Sequence, residues 1–417
     1  LINVSNLLFF SFRKDLFKVE KIETIFESIY QSIQSSSDDF RRETQIISYF
    51  RFFERLIICV PSLGTKIHSL ISFMLQSDRT SYENLLCLKM FVELIKNFET
   101  LEQKKTIKSP IRSVANDVTN DTGNTAYCTA LIQNHLQSIL NASMSGSIDI
   151  QRISVVLFEG LFSTGIVHPG ELFPCVIGLC SSTCSFVHEQ SLRLFEKMQE
   201  RHKSLLLNCN PLATLLNVYK VSPLTVDISY FYSFFVQKKP GRNSFFKAVL
   251  SVFDFDTSNN KIYHSNPEEN SFPFFLVRVL ANLPFGKLDD LCYFLYNLNI
   301  TCTILSDHLD SISDVSNALY KITLIYTFLV NELRNFLTEA YSVDSTKIDL
   351  YQEICSETPK AFDKLCSKTK KSLSFSQKYP TITAAIHEST ETFLTQLEPF
   401  VEFEEKMVKS KKRKSQK

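Results

Sequence analysis

Residues 149–203 decide the fold of this chain, and they read DIQRISVVLFEGLFSTGIVHPGELFPCVIGLCSSTCSFVHEQSLRLFEKMQERHK. Apolar residues recur in this stretch three and four positions apart, which is the spacing of one face of an α-helix. A first helix therefore carries Ile150, Ile153, Leu157 and Leu161 on one side. Gly165 is suited to end it in the left-handed conformation, and Pro169 is suited to begin the next helix, where the missing N–H costs nothing.

The two helices that follow complete a packing unit. The second has an apolar face made of Leu172, Phe173, Val176, Ile177 and Cys180. Pro174 lies inside it, removes one backbone hydrogen bond and bends the axis. After a polar turn at 181–185, the third helix runs back with Val187, Ser191, Leu194, Phe195 and Met198 inward. A bent helix paired with a straighter one is the repeating unit of a helical solenoid, so the sequence predicts an all-α solenoid.

Composition agrees with many helices joined by short polar turns. The chain of 417 residues has only 9 glycines and 13 prolines. Its formal net charge of +1 excludes a globally basic nucleic-acid binder, so any DNA contact must come from a local patch. The 11 cysteines are scattered, and Cys87, Cys175 and Cys292 fall on apolar stripes, which predicts reduced core residues. No apolar run approaches the ~18 residues of a membrane span, so we predict no membrane role.

The remaining chain is predicted to continue the same architecture. Since no methionine begins it, we expect the C-terminal part of a longer protein. Our division is helical repeats over 1–100, a polar surface loop over 101–124, a repeat region over 125–366, a terminal helical segment over 367–400 and a disordered basic tail over 401–417. Besides the three helices above, we predict helices at 19–34, 39–60, 66–75, 81–98, 125–140, 211–219, 223–236, 243–253, 273–283, 288–298, 315–336, 358–366 and 383–396, with a polar excursion at 254–270.

Several segments also resemble a known family, the Nipped-B cohesin loaders, in their HEAT-repeat C-terminal region. The first are GIVHP at 165–169, LFPCVI at 172–177 and LFEKMQERHK at 194–203. Further segments follow in the same order, namely YFYSFF at 230–235, RNSFFKAVLSVFD at 242–254, VLANLP at 279–284 and YTFLVNEL at 326–333. The likeness covers residues 125–365. This chain has Ser182 and Thr183 where the family usually carries an aspartate, and His188 where it carries an arginine.

The resemblance implies a fold and a function. It implies a hook-shaped HEAT-repeat solenoid, a nuclear chromatin protein rather than an enzyme, and a part in sister chromatid cohesion. The partners it implies are the SMC subunits and kleisin of the cohesin complex and double-stranded DNA, with stimulation of the cohesin ATPase. It also implies that a TPR-type loader partner binds the missing N-terminal part. The alternative is a generic HEAT-repeat scaffold in nuclear transport or trafficking, and comparison of 125–365 with loader and importin sequences separates the two.

Two groups of basic residues are candidate contact sites. Lys238, Lys239, Arg242 and Lys247 concentrate positive charge at a turn and the start of a helix, which fits either a solvated turn or a phosphate or acidic-partner contact. A basic edge at Arg193, Lys197, Arg201 and Lys203 is diluted by Glu196 and Glu200. The tail residues Lys409, Lys411, Lys412, Arg413 and Lys414 fit either a nuclear import signal or a solubilising tail, and the resemblance favours import.

The sequence gives little support for a catalytic site or a metal site. Cys180, Cys184 and His188 are four apart, but a helix-to-turn junction separates them and no fourth ligand stands at finger spacing, so we predict no zinc site. His168, directly before Pro169, is better explained as a residue at the start of a helix than as a general base. No phosphate-binding glycine loop or nucleophile elbow is present, and we predict no cofactor and no enzymatic activity.

Overall fold

The computed structural model describes residues 68–75, 81–107, 115–207, 209–225, 227–235, 239–254, 271–312, 318–344, 348 and 378–380. The chain divides into two compact units, Leu1–Cys209 and Asn210–Lys417. Within the described residues the elements are twelve α-helices and one 3-10 helix, without a strand. The all-α prediction is confirmed. None of these helices combines the length and the apolar character needed to cross a membrane.

The described part of the first unit, from His68 onward, contains six helices in two rows. They are α1 (His68–Met74), α2 (Ser81–Ile107), α3 (Ala115–Ser143), α4 (Ile148–Thr164), α5 (Pro169–Cys180) and α6 (Ser185–Leu207). In one row, Ser163 of α4 donates to Glu99 of α2 at 2.9 Å, and Lys197 of α6 donates to Glu159 of α4 at 2.8 Å. In the other row, α5 packs beside α3. Consecutive helices therefore alternate between the rows, which is solenoid packing.

The helices at 148–207 form as their sequence predicts. Gly165 ends α4 with φ 66°, and Pro169 is the first residue of α5. His168 caps α5, because its Nδ1 accepts from the N–H of Gly170 at 3.2 Å, which confirms its place at the start of the helix. Pro174 lies inside α5. The inward side chains predicted for α5 and α6 are all buried.

One glycine sets the distance between two helices of the first row. Gly160 of α4 lies against Ile95 of α2, and a Cβ at Gly160 would stand 2.8 Å from the Cγ2 of Ile95. Real Cβ atoms do not approach so closely, so the two backbones are closer than any larger residue permits.

The second unit repeats this plan with an aromatic core. Its helices are α7 (Pro211–Val221), α8 (Ser229–Phe235), α9 (Lys239–Leu250), α10 (Phe272–Ala281), α11 (Leu288–Ser311) and α12 (Ala318–Ala340), with a 3-10 turn at Ser251–Phe253. Phe246 of α9 stacks on Phe294 of α11 with ring centroids 4.5 Å apart. α11 and α12 pack as an antiparallel pair, since Asn299 lies by Arg334 and Cys302 by Asn331.

Two predicted boundaries are wrong. The loop expected over 101–124 is largely helical, because α2 continues through Ile107 and α3 begins at Ala115. Residues 101–107 read LEQKKTI, and leucine, glutamate, glutamine and lysine all favour helix, so their charges do not interrupt it. The composition of 115–124 gives no such signal. The helix expected over 223–236 is confined to α8, and the residues before it form a turn whose Pro223 carbonyl accepts from Arg278, a contact that no local pattern shows.

Other boundaries differ by smaller amounts. α9 begins four residues earlier than predicted, and α11 runs thirteen residues further, along its pairing with α12. The division between Cys209 and Asn210 falls inside the segment 125–366 that the sequence treats as one region. The helices predicted at 19–34, 39–60, 358–366 and 383–396 lie outside the described residues, as do the excursion after Asp254 and the tail.

Candidate nucleic-acid interface

The basic group predicted at 238–247 lies on α9. Lys239 is the first residue of this helix and Lys247 lies two turns later, and both are exposed. Lys238 is outside the described residues. Gly241 lets α9 begin close to the end of α8, because a Cβ there would stand 2.8 Å from the carbonyl oxygen of Phe235. Lys239 and Pro240, in the first turn of α9, are exposed.

Arg242 does not face solvent, and its predicted place in an exposed phosphate-binding group is wrong. Its residue is 2% exposed, and its Nη1 donates to Asp289 Oδ2 at 2.5 Å and to Asp290 Oδ1 at 2.7 Å. Its guanidinium carbon lies 4.7 Å from the centroid of the Tyr293 ring, a cation–π contact.

The reason for this burial is visible in the sequence. Position 242 lies on one helical face with Phe245, Phe246 and Val249, three, four and seven residues on, and all three are buried. An arginine on that face must enter the core and needs buried acids there. The partners, Asp289 and Asp290, are consecutive acids in the first turn of α11, where the helix dipole favours them. Sequence reasoning missed them, although two acids opening an apolar helix were the available signal.

The cluster formed by Arg242, Lys239, Asp289 and Asp290, called here the Arg242 cluster, is close to electrically balanced. Lys239 Nζ lies 3.5 Å from Asp289 Oδ2, so two cations meet two carboxylates. Burial alone would lower the pKa of Arg242, but hydrogen bonds and charge from Asp290 and Asp289 raise it. Arg242 therefore keeps its positive charge, and its ion pairs join α9 to α11. Lys239 and Lys247 are the members of the group that remain at the surface.

Comparison with known proteins identifies the region around this cluster. Residues 128–301 match the family model described as the sister chromatid cohesion C-terminus, Nipped-B. These 174 residues are therefore similar to a Nipped-B C-terminal region. The match agrees with the resemblance to the Nipped-B family and supports a role in sister chromatid cohesion. It includes helices of both units and the whole Arg242 cluster. No curated protein matches the chain.

The matched residues also include the second basic group, on α6. Arg193, Lys197, Arg201 and Lys203 are all exposed, as predicted. Lys197 is paired with Glu159 at 2.8 Å, and the Arg201 guanidinium lies 5.7 Å from the centroid of the Phe162 ring. These contacts occupy two of the four cations with neighbours on α4. The α6 edge therefore offers less free positive charge than its sequence indicates.

Ser182 and His188, which depart from the Nipped-B pattern, both make hydrogen bonds within the fold of this chain. Ser182 is buried, and its hydroxyl donates to Gln151 at 2.5 Å and accepts from the N–H of Cys184 at 3.2 Å. His188 places Nδ1 2.5 Å from the carbonyl oxygen of Cys180. Both contacts fix the turn between α5 and α6.

The cysteines and histidine of that turn are not arranged as metal ligands. Cys180 is buried, and Cys184 lies with its sulfur 3.9 Å from Arg152. Throughout the described ranges, no three His, Cys, Asp or Glu side chains converge as a metal site would require. The cysteines that the structure describes are free thiols, and all except Cys184 are buried. Burial raises the pKa of Cys128 to about 11, which keeps it as an unreactive thiol.

Proposed function

We propose that this chain is part of a chromatin-associated cohesin loader in the nucleus, which binds the cohesin complex and double-stranded DNA and stimulates the cohesin ATPase. The observation that carries the proposal is the Nipped-B match over 128–301. That match covers helices α4 to α10 in full, and with them part of each unit.

The architecture supports binding rather than catalysis. Stacked helices present long surfaces whose side chains are held by a packed core, which suits them to grip large partners. The ATPase belongs to cohesin, and this chain would act on it by holding cohesin and DNA together. The buried Arg242 cluster has its carboxylates engaged by Arg242 and Lys239, which fits a structural joint.

For the DNA contact we propose Lys239 and Lys247, together with Lys238. Lys239 and Lys247 lie about 12 Å apart along α9 and about 80° apart around it, so both ammonium groups reach one surface. Arg242 contributes by fixing α9 on α11, so that these lysines project from a helix that cannot rotate. A near-neutral chain can hold phosphates only through such a local group.

The test is capture of cohesin by the tagged chain. A tagged protein incubated with purified cohesin should retain the SMC subunits and the kleisin, and DNA should increase the ATPase rate of the mixture. A double charge reversal, Lys239→Glu with Lys247→Glu, should lower the DNA-dependent part of that rate. The matched control is Lys89→Glu with Lys96→Glu, two exposed lysines on α2 of the first unit. If the intact chain retains no cohesin, the loader proposal is wrong.

A further inference from the structure

One face of α12 carries acids on both sides of an aromatic ring. Glu332, Phe336 and Glu339 are four and three residues apart, so their side chains lie within about 60° around the helix axis. Glu332 is half-buried and Glu339 is exposed, whereas Phe336 between them is only 3% exposed. We call these three residues the α12 face. The neighbouring core face of the same helix, with Leu333 and Leu337, is fully buried.

Residues 378–380 lie against the α12 face. The Tyr379 ring meets the Phe336 ring edge to face, with centroids 6.5 Å apart and planes at 72°. The Tyr379 hydroxyl is hydrogen-bonded to the Glu332 carboxylate. The Lys378 ammonium is paired with Glu339 and lies 5.5 Å from the centroid of the Tyr379 ring. The three members of the α12 face thus contact two consecutive residues, Glu332 and Phe336 through Tyr379 and Glu339 through Lys378.

The electrostatics of α12 explain why the end of this helix binds a cation. Glu339 lies in the last turn of the helix, where the backbone dipole is negative and an acid is unfavourable. The last turn of α12 contains no basic residue of its own. Lys378 supplies the missing positive charge from another part of the chain. Burial raises the pKa of Tyr379, and the hydrogen bond with Glu332 and the charge of both glutamates raise it further, so the hydroxyl keeps the proton that it donates.

We propose that the α12 face is a docking site for a lysine–tyrosine segment, and that Lys378–Tyr379 of this chain is its occupant. Three contacts of different kinds join this pair to the α12 face, namely an ion pair, an aromatic contact and a charge-assisted hydrogen bond, and a cation–π contact joins Lys378 to Tyr379. Residues 381–417, which include the basic tail, follow this pair in the sequence. The docking does not depend on cohesin or DNA, and so it stands or fails separately from the loader proposal.

Trypsin measures the docking in the intact chain. The bond after Lys378 is a tryptic site, and a docked ammonium paired with Glu339 cannot enter the protease, so cleavage there requires undocking. Tyr379→Phe removes the hydroxyl, and Glu332→Gln removes the acceptor charge. Each should speed cleavage after Lys378 by roughly three- to tenfold, because one charge-assisted hydrogen bond is lost. Glu196→Gln, at an exposed acid on α6, is the matched control and should leave the rate unchanged.

The double variant decides whether the two residues act together. If the hydroxyl and the carboxylate are partners, Tyr379→Phe combined with Glu332→Gln should be cleaved no more than about twice as fast as the faster single variant. Multiplied effects, or a Tyr379→Phe rate equal to that of the unaltered chain, would overturn the proposal.

A fluorescence measurement distinguishes a loss of docking from a general loss of stability. The chain has no tryptophan, so Tyr379→Trp introduces a single reporter. Docked against Phe336, this tryptophan should be quenched by acrylamide several times more slowly than in a free peptide of residues 374–383 carrying the same change. Adding Lys378→Ala should increase the quenching while the circular dichroism melting curve stays the same. If the Tyr379→Trp chain without Lys378→Ala is quenched as fast as the free peptide, the docking proposal is also overturned.

Discussion

Arg242 of α9 and Asp290 of α11 are joined at 2.7 Å inside the second unit, although 48 positions separate them in the sequence. This contact, with its neighbour at Asp289, ties the start of one helix to the start of another. An ion pair so placed holds its geometry only while both partners are present, because an unpaired charge in the core is costly.

Removing Arg242 should therefore destabilise the second unit. Arg242→Met leaves Asp289 and Asp290 without their buried cation, and we expect a loss of about 3–5 kcal/mol of unfolding free energy. Lys239→Met, the control, removes an exposed partner of the same cluster and should cost less than about 1 kcal/mol. Urea unfolding followed by circular dichroism compares the two. Equal losses would show that Arg242 is not the cation that holds the cluster.

The pairing of α5 with α6 should depend on Phe195 and not on Pro174. Phe195 is 4% exposed and meets Phe173 at 6.4 Å between centroids, so Phe195→Ala should cost about 3–5 kcal/mol. Pro174→Ala should be tolerated, because alanine can donate the backbone hydrogen bond that proline lacks and the apolar contacts of α5 remain. Thermal unfolding of both variants tests this. A larger melting shift for the proline change would contradict the packing.

His135 should make the first unit sensitive to acid. Burial, and then the nearby His68, lower the pKa of His135 to about 4, and its Nε2 lies 2.9 Å from the Nδ1 of His68. A lowered pKa in the folded state means that the unfolded chain binds this proton first. Stability is therefore complete above pH ~6.5 and falls as the pH drops from ~6.5 towards 4.

The expected size of this effect follows from the pKa difference. Between pH 7 and pH 5 the unfolding free energy should fall by about 2 kcal/mol through this residue. His135→Gln should lack that part of the pH dependence, which urea titrations at pH 5, 6 and 7 will measure. An unchanged pH profile in the glutamine variant would remove His135 as the cause.

DNA affinity should depend on salt through two or three lysines. Because Arg242 is buried, the phosphate contacts available to this group are Lys238, Lys239 and Lys247, and the slope of log affinity against log salt should be about −2 to −3. Reversing the charge of Lys239 and Lys247 should flatten the slope while the helical signal stays intact. Fluorescence anisotropy with a labelled duplex measures it, with the α2 lysine pair as control. A slope unaltered by the reversal would exclude these lysines from the DNA site.

The tail should act in import and not in folding. Residues 409–417 carry five cations within six positions, too polar a run to bury a core. Deleting them should leave the melting temperature unchanged and reduce nuclear accumulation of a reporter fusion. Equal nuclear signal with and without the tail would favour a solubilising role.

The local sequence pattern was sufficient to predict the helices whose packing is repetitive. Gly165, Pro169 and the apolar stripes around them specify α4 to α6, because each signal acts within one or two turns. The pattern failed where distant residues decide. The acids that draw Arg242 inward lie on α11, and the turn at Pro223 is held by Arg278 from α10. By charge alone, the lysines and the arginine of α9 form one group. The apolar helical face on which Arg242 lies distinguishes it from the exposed Lys239 and Lys247.

Gly160 has a consequence for how this architecture varies. The distance between α2 and α4 is limited by a single absent methyl group, since a Cβ at Gly160 would stand 2.8 Å from the Cγ2 of Ile95. An alanine there would act as a wedge, because Ile95 is branched next to its backbone and has little room to turn aside. One nucleotide change could thus shift α4 relative to α2 within the first unit. A substitution at such a position changes the packing of two neighbouring helices while every exposed side chain stays the same.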